Sequence, residues 1–325
     1  MKKLDRFLVP TDFSEGSNAA CQYASFLAEI FGGTVDLFHR IPTLKYFQDS
    51  IKKLGVPLSM ERDYMPQVEK DSKAKLEESM SKFIHKDHQG KCITKIGPNA
   101  AEIILDYAHR DKYDMIVLGA RGDSAKQYIK MGSVTTRIVK LSRIPVVAVP
   151  ESPGFDPLKT ILVPTDYSDE SLQALKPAAF LARKMGAKIT LFHVQELFGS
   201  LSEAHNIPVA KATTAGIRDK IMNKVRGFLT ASEDYNLRLN IGTNDDSHTL
   251  EYTVDGDSYT IPFSIELDRG FSAHHQIVKY ADEHGDFMVI STHGRSGLQH
   301  LMLGSTAEKV IQWTEIPVMT NRIKF

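Results

Sequence analysis

The chain has 325 residues, 42% of them hydrophobic and 25% charged, and its 40 basic and 40 acidic side chains give a formal net charge of zero. That length exceeds one comfortable core and suits two domains, while the neutral balance offers no bulk attraction to nucleic acid or to an anionic membrane. No apolar run approaches the ~18 residues of a membrane helix, and Met1–Asp5 lacks the apolar stretch of a signal peptide. With only Cys21 and Cys92 and no disulfide framework, the expectation is a reduced, cytoplasmic protein without nucleic-acid or membrane partners.

In chain order, short apolar runs alternate with segments of helical period. The runs of the first half are Phe7–Pro10, Thr34–His39, Lys91–Ile96, Met115–Gly119 and Ile144–Val149. Met115–Leu118 and Val146–Val149 show no polar alternation, as strands covered on both faces should. Helices are predicted at Ser17–Phe31, Gln67–His85, Ala100–Arg110 and Ser133–Leu141. The first carries an apolar stripe at Ala20, Tyr23, Ala24, Leu27, Ile30 and Phe31, and Gly32-Gly33 ends it. This alternation predicts a doubly wound α/β domain with right-handed crossovers.

Glu151-Ser152-Pro153-Gly154 reads as a linker. Beyond it the text repeats. Phe7-Leu8-Val9-Pro10-Thr11-Asp12-Phe13-Ser14 returns as Ile161-Leu162-Val163-Pro164-Thr165-Asp166-Tyr167-Ser168, 154 positions on (164 − 10). Gly119-Ala120-Arg121-Gly122 with Gly132-Ser133 returns as Ser291-Thr292-His293-Gly294 with Gly304-Ser305, 172 positions on (304 − 132). The chain is therefore two copies of one domain, 1–150 and 155–325, the second carrying 18 extra residues (172 − 154). Strands of the second copy are expected at Thr160–Pro164, Lys188–His193, a segment before Gly270, Phe287–Ser291 and Ile316–Thr320. Pro177 falls inside its first helix and should kink that helix or delay its start. The extra residues lie in about 240–264, where Thr249–Val254 and Ser258–Ile261 alternate around Asp255-Gly256, a hairpin signal. Two roles stay open for this insert: a cover for a sheet edge, or a contact surface for a dimer or another protein.

In open α/β sheets, ligands bind beyond the carboxyl ends of strands where strand order reverses. Pro10-Thr11-Asp12 follows the first strand. Gly119-x2-Gly122 follows the fourth and leads over nine residues to Gly132-Ser133 at a helix start. Glycines let a backbone approach phosphates, free N–H groups at a helix start favour anions, and Asp12 can accept hydrogen bonds from an amino group or ribose hydroxyls.

Gly119-x2-Gly122-x9-Gly132-Ser133, with Val-Pro-Thr-Asp-x-Ser after the first strand, resembles the ATP-binding motif of universal stress proteins, and the chain resembles a tandem member of that family outside the insert. The resemblance implies a five-stranded parallel sheet of order 3-2-1-4-5 in each half. It implies a nucleotide contacted by Pro10, Thr11, Asp12, Arg40, Gly119, Arg121, Gly122, Gly132, Ser133 and Val134. In the second copy the matching positions are Pro164, Thr165, Asp166, Val194, Ser291, His293, Gly294, Arg295, Gly304, Ser305 and Thr306. The cofactor implied is ATP, ADP or AMP, with Mg where phosphates are bound. The two halves are expected to pack through their last strands, Val146–Val149 and Val318–Thr320, as single-domain relatives do in dimers. A homodimer of the whole chain is a further possibility.

The copies differ where phosphates would sit. Ser291 replaces the first glycine, and Asp123 in copy one stands where copy two has Arg295; the acid disfavours a triphosphate unless Lys126 or Lys130 swings in. Two sites of unequal affinity are expected. Blander roles compete: Ser305-x-x-Glu308 fits a capping box, and Asp12 and Asp166 fit turns or caps. His39 and His193 read as structural or rim residues. His205, His248, His274, His275 and His284 match no compact zinc pattern, and Asp245, Asp246, Asp255 and Asp257 lack calcium-loop spacing. There is no Walker loop, no G-x-G-x-x-G, no nucleophile elbow and no evident general base. The reading is a nucleotide-dependent sensor or switch with at most weak ATP hydrolysis and no catalytic residues. Its rivals are a scaffold with decayed sites and a slow ATPase.

Overall fold

A computed structural model describes residues 3–42, 65–121, 131–155, 157–197, 214–232, 235–243, 247–291 and 303–321. It divides into two compact units at Pro153/Gly154.

The first unit runs β1 (Arg6–Pro10), α1 (Glu15–Phe31), β2 (Thr34–Pro42), α2 (Met65–Phe83), β3 (Gln89–Gly97), α3 (Ala100–Arg110), β4 (Met115–Gly119), α4 (Ser133–Leu141) and β5 (Val146–Val149). Its strands are parallel in the order β3-β2-β1-β4-β5. Phe7, Leu8 and Val9 have no exposed surface, so both faces of β1 are covered, and burying each side chain contributes about 1.5–3 kcal/mol. Helix α1 is capped by Ser14, whose side chain accepts from Ser17 N–H. It ends at Gly32 in the left-handed conformation at φ 73°, where a side chain would be strained.

A buried polar knot lies at the opposite end of this sheet. Asp36, 4% exposed, accepts from the Tyr113 hydroxyl at 2.5 Å, from Lys91 N–H at 2.6 Å and from Arg6 Nη2 at 3.3 Å. Asp36 sits where the β2–β3 register shifts. A Cβ on Gly90 would collide with its carboxylate, so glycine leaves the room. The Arg6 guanidinium lies 4.3 Å from the Tyr113 ring centre. Burial, then the bond to Asp36, pushes the Tyr113 phenol up and keeps it a donor.

The second unit runs β6 (Thr160–Pro164), α5 (Asp169–Leu172), α6 (Leu175–Met185), β7 (Lys188–Glu196), α7 (Thr214–Ala231), β8 (Leu237–Asn240), β9 (Thr249–Val254), β10 (Asp257–Gly270), α8 (Ala273–His284), β11 (Phe287–Ser291), α9 (Ser305–Trp313) and β12 (Val318–Asn321). The order is β12-β11-β6-β7-β10-β9-β8, the same five-strand core extended at one edge. Where the first unit has one helix after its first strand, the second has two. Pro177 lacks the N–H that would bond the Gln173 carbonyl, and the helix is interrupted between α5 and α6. Gln173 and Ala174 keep right-handed helical dihedrals, so the interruption is a turn rather than a corner.

The insert is an added edge, and its hairpin is not separable from the sheet. β9 pairs antiparallel with the first part of β10, and β10 continues without interruption into parallel pairing with β7 from Phe263 to Gly270. The expected boundary at Ser264 therefore falls inside a 14-residue strand. Asp255 at φ 54° and Gly256 at φ 90° form the turn, as a type I′ hairpin requires. Leu250, Tyr252, Ile261 and Phe263 are buried, while the Arg183 guanidinium of α6 stands 4.7 Å from the Tyr259 ring centre. The apolar side of the insert is thus occupied by its own domain.

Candidate functional site

The loop after the first strand is built identically in both units. Thr11 N–H donates to the Phe38 carbonyl at 2.8 Å, tying the loop to the end of β2. The Thr11 and Ser17 hydroxyls share a hydrogen bond of 2.9 Å, and Phe13 N–H donates to Thr11 Oγ1 at 3.0 Å. Asp12 Oδ1 accepts from the backbone and the hydroxyl of Ser14 at 3.2 and 2.5 Å, and Ser14 then caps α1. In the second unit Thr165, Ser171, Tyr167, Asp166 and Ser168 repeat these bonds at 2.5–3.1 Å. The aspartates are thus the turn residues of the blander reading, each orienting a capping serine, and they remain at the surface: Asp12 is exposed and Asp166 half-buried.

Two further residues of the loop escaped the sequence reading. Phe13 and Tyr167 both adopt φ 66°, an uncommon state for a bulky side chain. Each ring lies tilted against a histidine ring, with centroids 4.5 Å apart for Phe13–His39 and 3.9 Å for Tyr167–His193. The histidines in turn bond the loop: His39 Nδ1 lies 2.8 Å from the Thr11 carbonyl and His193 Nδ1 2.9 Å from that of Thr165. A carbonyl only accepts, so Nδ1 carries the proton. Burial holds the His39 imidazole below its usual range, helped by Arg40 and Lys75 and opposed by the Thr11 carbonyl and Asp12. The repeat of an aromatic two residues after the threonine was the available signal. Lys75, on α2, had none; its Nζ lies 5.8 Å from the Phe13 ring centre.

The fourth strand ends beside this loop in the first unit. Gly132 N–H donates to the Ala120 carbonyl at 2.8 Å and Thr135 Oγ1 to the Gly119 carbonyl at 2.8 Å, folding the start of α4 back onto β4. Gly132 is the N-cap of α4 and no side chain caps that end; the first-turn N–H groups at Ser133 and Val134 belong to an end of the helix that favours an anion. Gly119 serves packing: a Cβ there would lie 2.6 Å from the Gly16 backbone, and a Cβ on Gly16 would meet the Arg121 carbonyl. Two glycines let the first turn of α1 lie against the end of β4. Arg121 Nη1 is 3.5 Å from Glu151.

The structure places Pro10, Thr11 and Asp12 at the end of β1, Arg40 in the last part of β2, Gly119 and Arg121 at the end of β4, and Gly132, Ser133 and Val134 at the start of α4. In the second unit Pro164, Thr165, Asp166, Val194 and Ser291 lie at the ends of β6, β7 and β11, and Gly304 caps α9 with no side-chain bond. Ser305 and Thr306 are already inside that helix, so the capping-box reading of Ser305 is corrected: glycine, not serine, holds the cap. Gly122, Asp123, Lys126, Lys130, His293, Gly294 and Arg295 lie outside the described residues, as do His205, Asp245 and Asp246. Among the described residues, no three His, Cys, Asp or Glu side chains gather as metal ligands, and no helix is long and apolar enough to cross a membrane. His248 Nδ1 accepts from Gly242 N–H, and His274 Nδ1 is bonded to the Ser272 hydroxyl. Both cysteines are free thiols. Burial pushes Cys21 up to about 12 and raises Cys92, so neither is an activated nucleophile.

Two doubly wound units, each with an aspartate loop at the point where strand order reverses, define a tandem α/β protein. The chain belongs to the universal stress protein family, whose family model matches residues 3–150, 157–219 and 265–322. The unmatched stretch between the second and third of these ranges, 220–264, contains most of α7, then β8, β9 and the first part of β10. The chain is 22% identical to universal stress protein Slr1230 of Synechocystis, over 98% of this chain and 100% of that one. It is 28% identical to universal stress protein MJ0577 of Methanocaldococcus jannaschii, over 51% of this chain and 96% of that one. A universal stress protein structure from Archaeoglobus fulgidus superposes with a TM-score of 0.64 at 19% identity, covering 98% of this chain and 96% of that chain.

Proposed function

We propose that the chain is a cytoplasmic sensor or switch that binds ATP or another adenine nucleotide in each of its domains, 1–150 and 155–325. The observation that carries this reading is the duplicated strand-one loop. A bond network repeated residue for residue holds an aspartate at the surface of each switch point, opposite a glycine-capped helix start in the first unit. Asp12 and Asp166 would accept from ribose or base donors, and the starts of α4 and α9 would face the phosphates. Arg40, Lys75 and Arg121 add positive charge around the first crevice. Magnesium would enter with the phosphates. The loop hydroxyls of Thr11 and Ser17 are bonded to each other, which suits binding better than nucleophilic chemistry. Nucleotide would act by shifting the order of the phosphate loops and so the affinity for a protein partner or a second copy.

Mass spectrometry of nucleotide released from the purified protein, with calorimetry against ATP, ADP, AMP and cAMP, tests this. Binding at two sites is expected, falling to one in Asp12→Ala or Asp166→Ala and to none in the double variant. An empty protein that takes up no adenine nucleotide would sink the proposal. Unchanged stoichiometry in the double variant would remove the site assignment.

A further inference from the structure

The second unit ends its sheet at β8, whose outer side has no strand beside it among the described residues. Thr253 N–H donates to the Asn236 carbonyl at 2.9 Å. In an antiparallel ladder, bonded pairs alternate, so with the register Leu237↔Tyr252 it is Asn236, Arg238 and Asn240 that face β9. The N–H and C=O groups of Leu237 and Leu239 therefore point outward. An open groove of about 540 Å³ runs along that edge, floored by β8 and Ile241 and walled by Arg226, Leu229 and Thr230 of α7. Ile241 is 45% exposed and offers an apolar contact at its end.

A charge on a short edge strand is also how proteins keep edges from pairing. The groove separates the two roles, because a blocked edge needs no space beside it. Its charge points the same way. Arg226 and Arg238 are both exposed and stand on the helix wall and the strand floor. Among the described residues, the nearby ion pair on α7 is Lys224–Asp169 and involves neither arginine, while Glu251 of β9 stands across from Arg238 in the register and leaves its outer side to a further strand.

We propose that β8 is a docking edge for an extended acidic peptide of a partner protein, which adds a strand to the sheet. Its backbone bonds Leu237 and Leu239, its carboxylates lie on the exposed face beside Arg238, and its apolar side chains lie on the opposite face against Leu229 and Ile241, with Arg226 at the rim. A second copy of this chain fits worse, because β8 against β8 would set two Arg238 side chains on one face. The docking edge stands independently of the nucleotide reading.

Excising the insert is not a usable test, since it would cut β10 in its middle. The probe is a short fluorescent peptide alternating valine and glutamate, followed by anisotropy with the full chain, with and without ATP. The acidic peptide should bind, salt should weaken it, and a valine–lysine peptide should bind about tenfold or more weakly. Arg226→Glu with Arg238→Glu should reverse that order, and the reversed preference shows that the variant is folded. No binding of the acidic peptide, equal binding of both peptides, or affinity unmoved by the charge reversal overturns the proposal. So does sedimentation showing that the chain self-associates through this edge and that the reversal abolishes it.

Discussion

The two halves agree at one end of the crevice and part at the other. The strand-one loops share every internal hydrogen bond, down to the histidine that holds the threonine carbonyl. Around them the packing has been rebuilt. The first unit presses α1 against β4 through Gly16 and Gly119, whereas the second carries Glu170 and Ser291 at those positions and interrupts the helix before Pro177. The Asp36–Tyr113–Arg6 knot of the first unit becomes Thr190, Gly285 and Thr160 in the second, with a Thr190–Ser264 hydroxyl bond at 3.2 Å instead. Duplication thus kept the loop geometry while each domain found its own way to hold it, which points to the loop as the constrained part.

The largest expected effect tests that division at the knot. Asp36→Ala should destabilise the first unit by about 3 kcal/mol, because it strands the buried Tyr113 hydroxyl and takes the acceptor from Lys91 N–H and Arg6. Thr190→Ala should cost the second unit less than about 1 kcal/mol. Urea unfolding followed separately in each domain reads both, since two domains need not unfold in one step. Next, Gly119→Ser should cost the first unit about 1–3 kcal/mol through overlap with the Gly16 backbone. The reciprocal Ser291→Gly should shift the second by about 1 kcal/mol at most. Equal effects of this pair would mean that the packing around the two fourth strands has not diverged.

The caps test the agreement instead. Ser14→Ala and Ser168→Ala should each cost about 1 kcal/mol, and thermal melts should give matching values for the pair. The smallest effect is a pH dependence of the first unit. Burial lowers the folded His39 pKa, so the unfolded chain takes up that proton first as the solution is acidified. The stability His39 contributes is present above the usual imidazole range near 6.5 and is lost as pH falls through the lowered value. His39→Gln should flatten that slope in melts run from neutral to mildly acidic pH.

The alternating apolar runs and helical stripes made the doubly wound architecture of both halves legible, because they carry that information locally, whereas the strand order of the core came from the resemblance to universal stress proteins. The type I′ hairpin was legible for the same reason: Asp255-Gly256 supplies the positive φ angles by itself. What the sequence hid depends on contacts distant along the chain. Gly119 read as room for a phosphate, and the structure adds that its missing Cβ makes room for Gly16. Lys75 comes to Phe13 only because α2 packs near the loop. Asp36 takes its three donors from β1, from β3 and from the loop before β4. The continuity of β10 was written as one alternation, Tyr259, Ile261, Phe263, Ile265 and Leu267, which runs straight past the point where its partner changes.

That continuity sets an order of assembly. The hairpin of β9 and β10 closes across a two-residue turn, a local event on the microsecond scale, whereas β10 must find β7 across some sixty residues of intervening chain. The insert therefore forms early and delivers the inner strand already straightened, so the segment that lengthens the domain also shortens the search by which its parallel sheet closes.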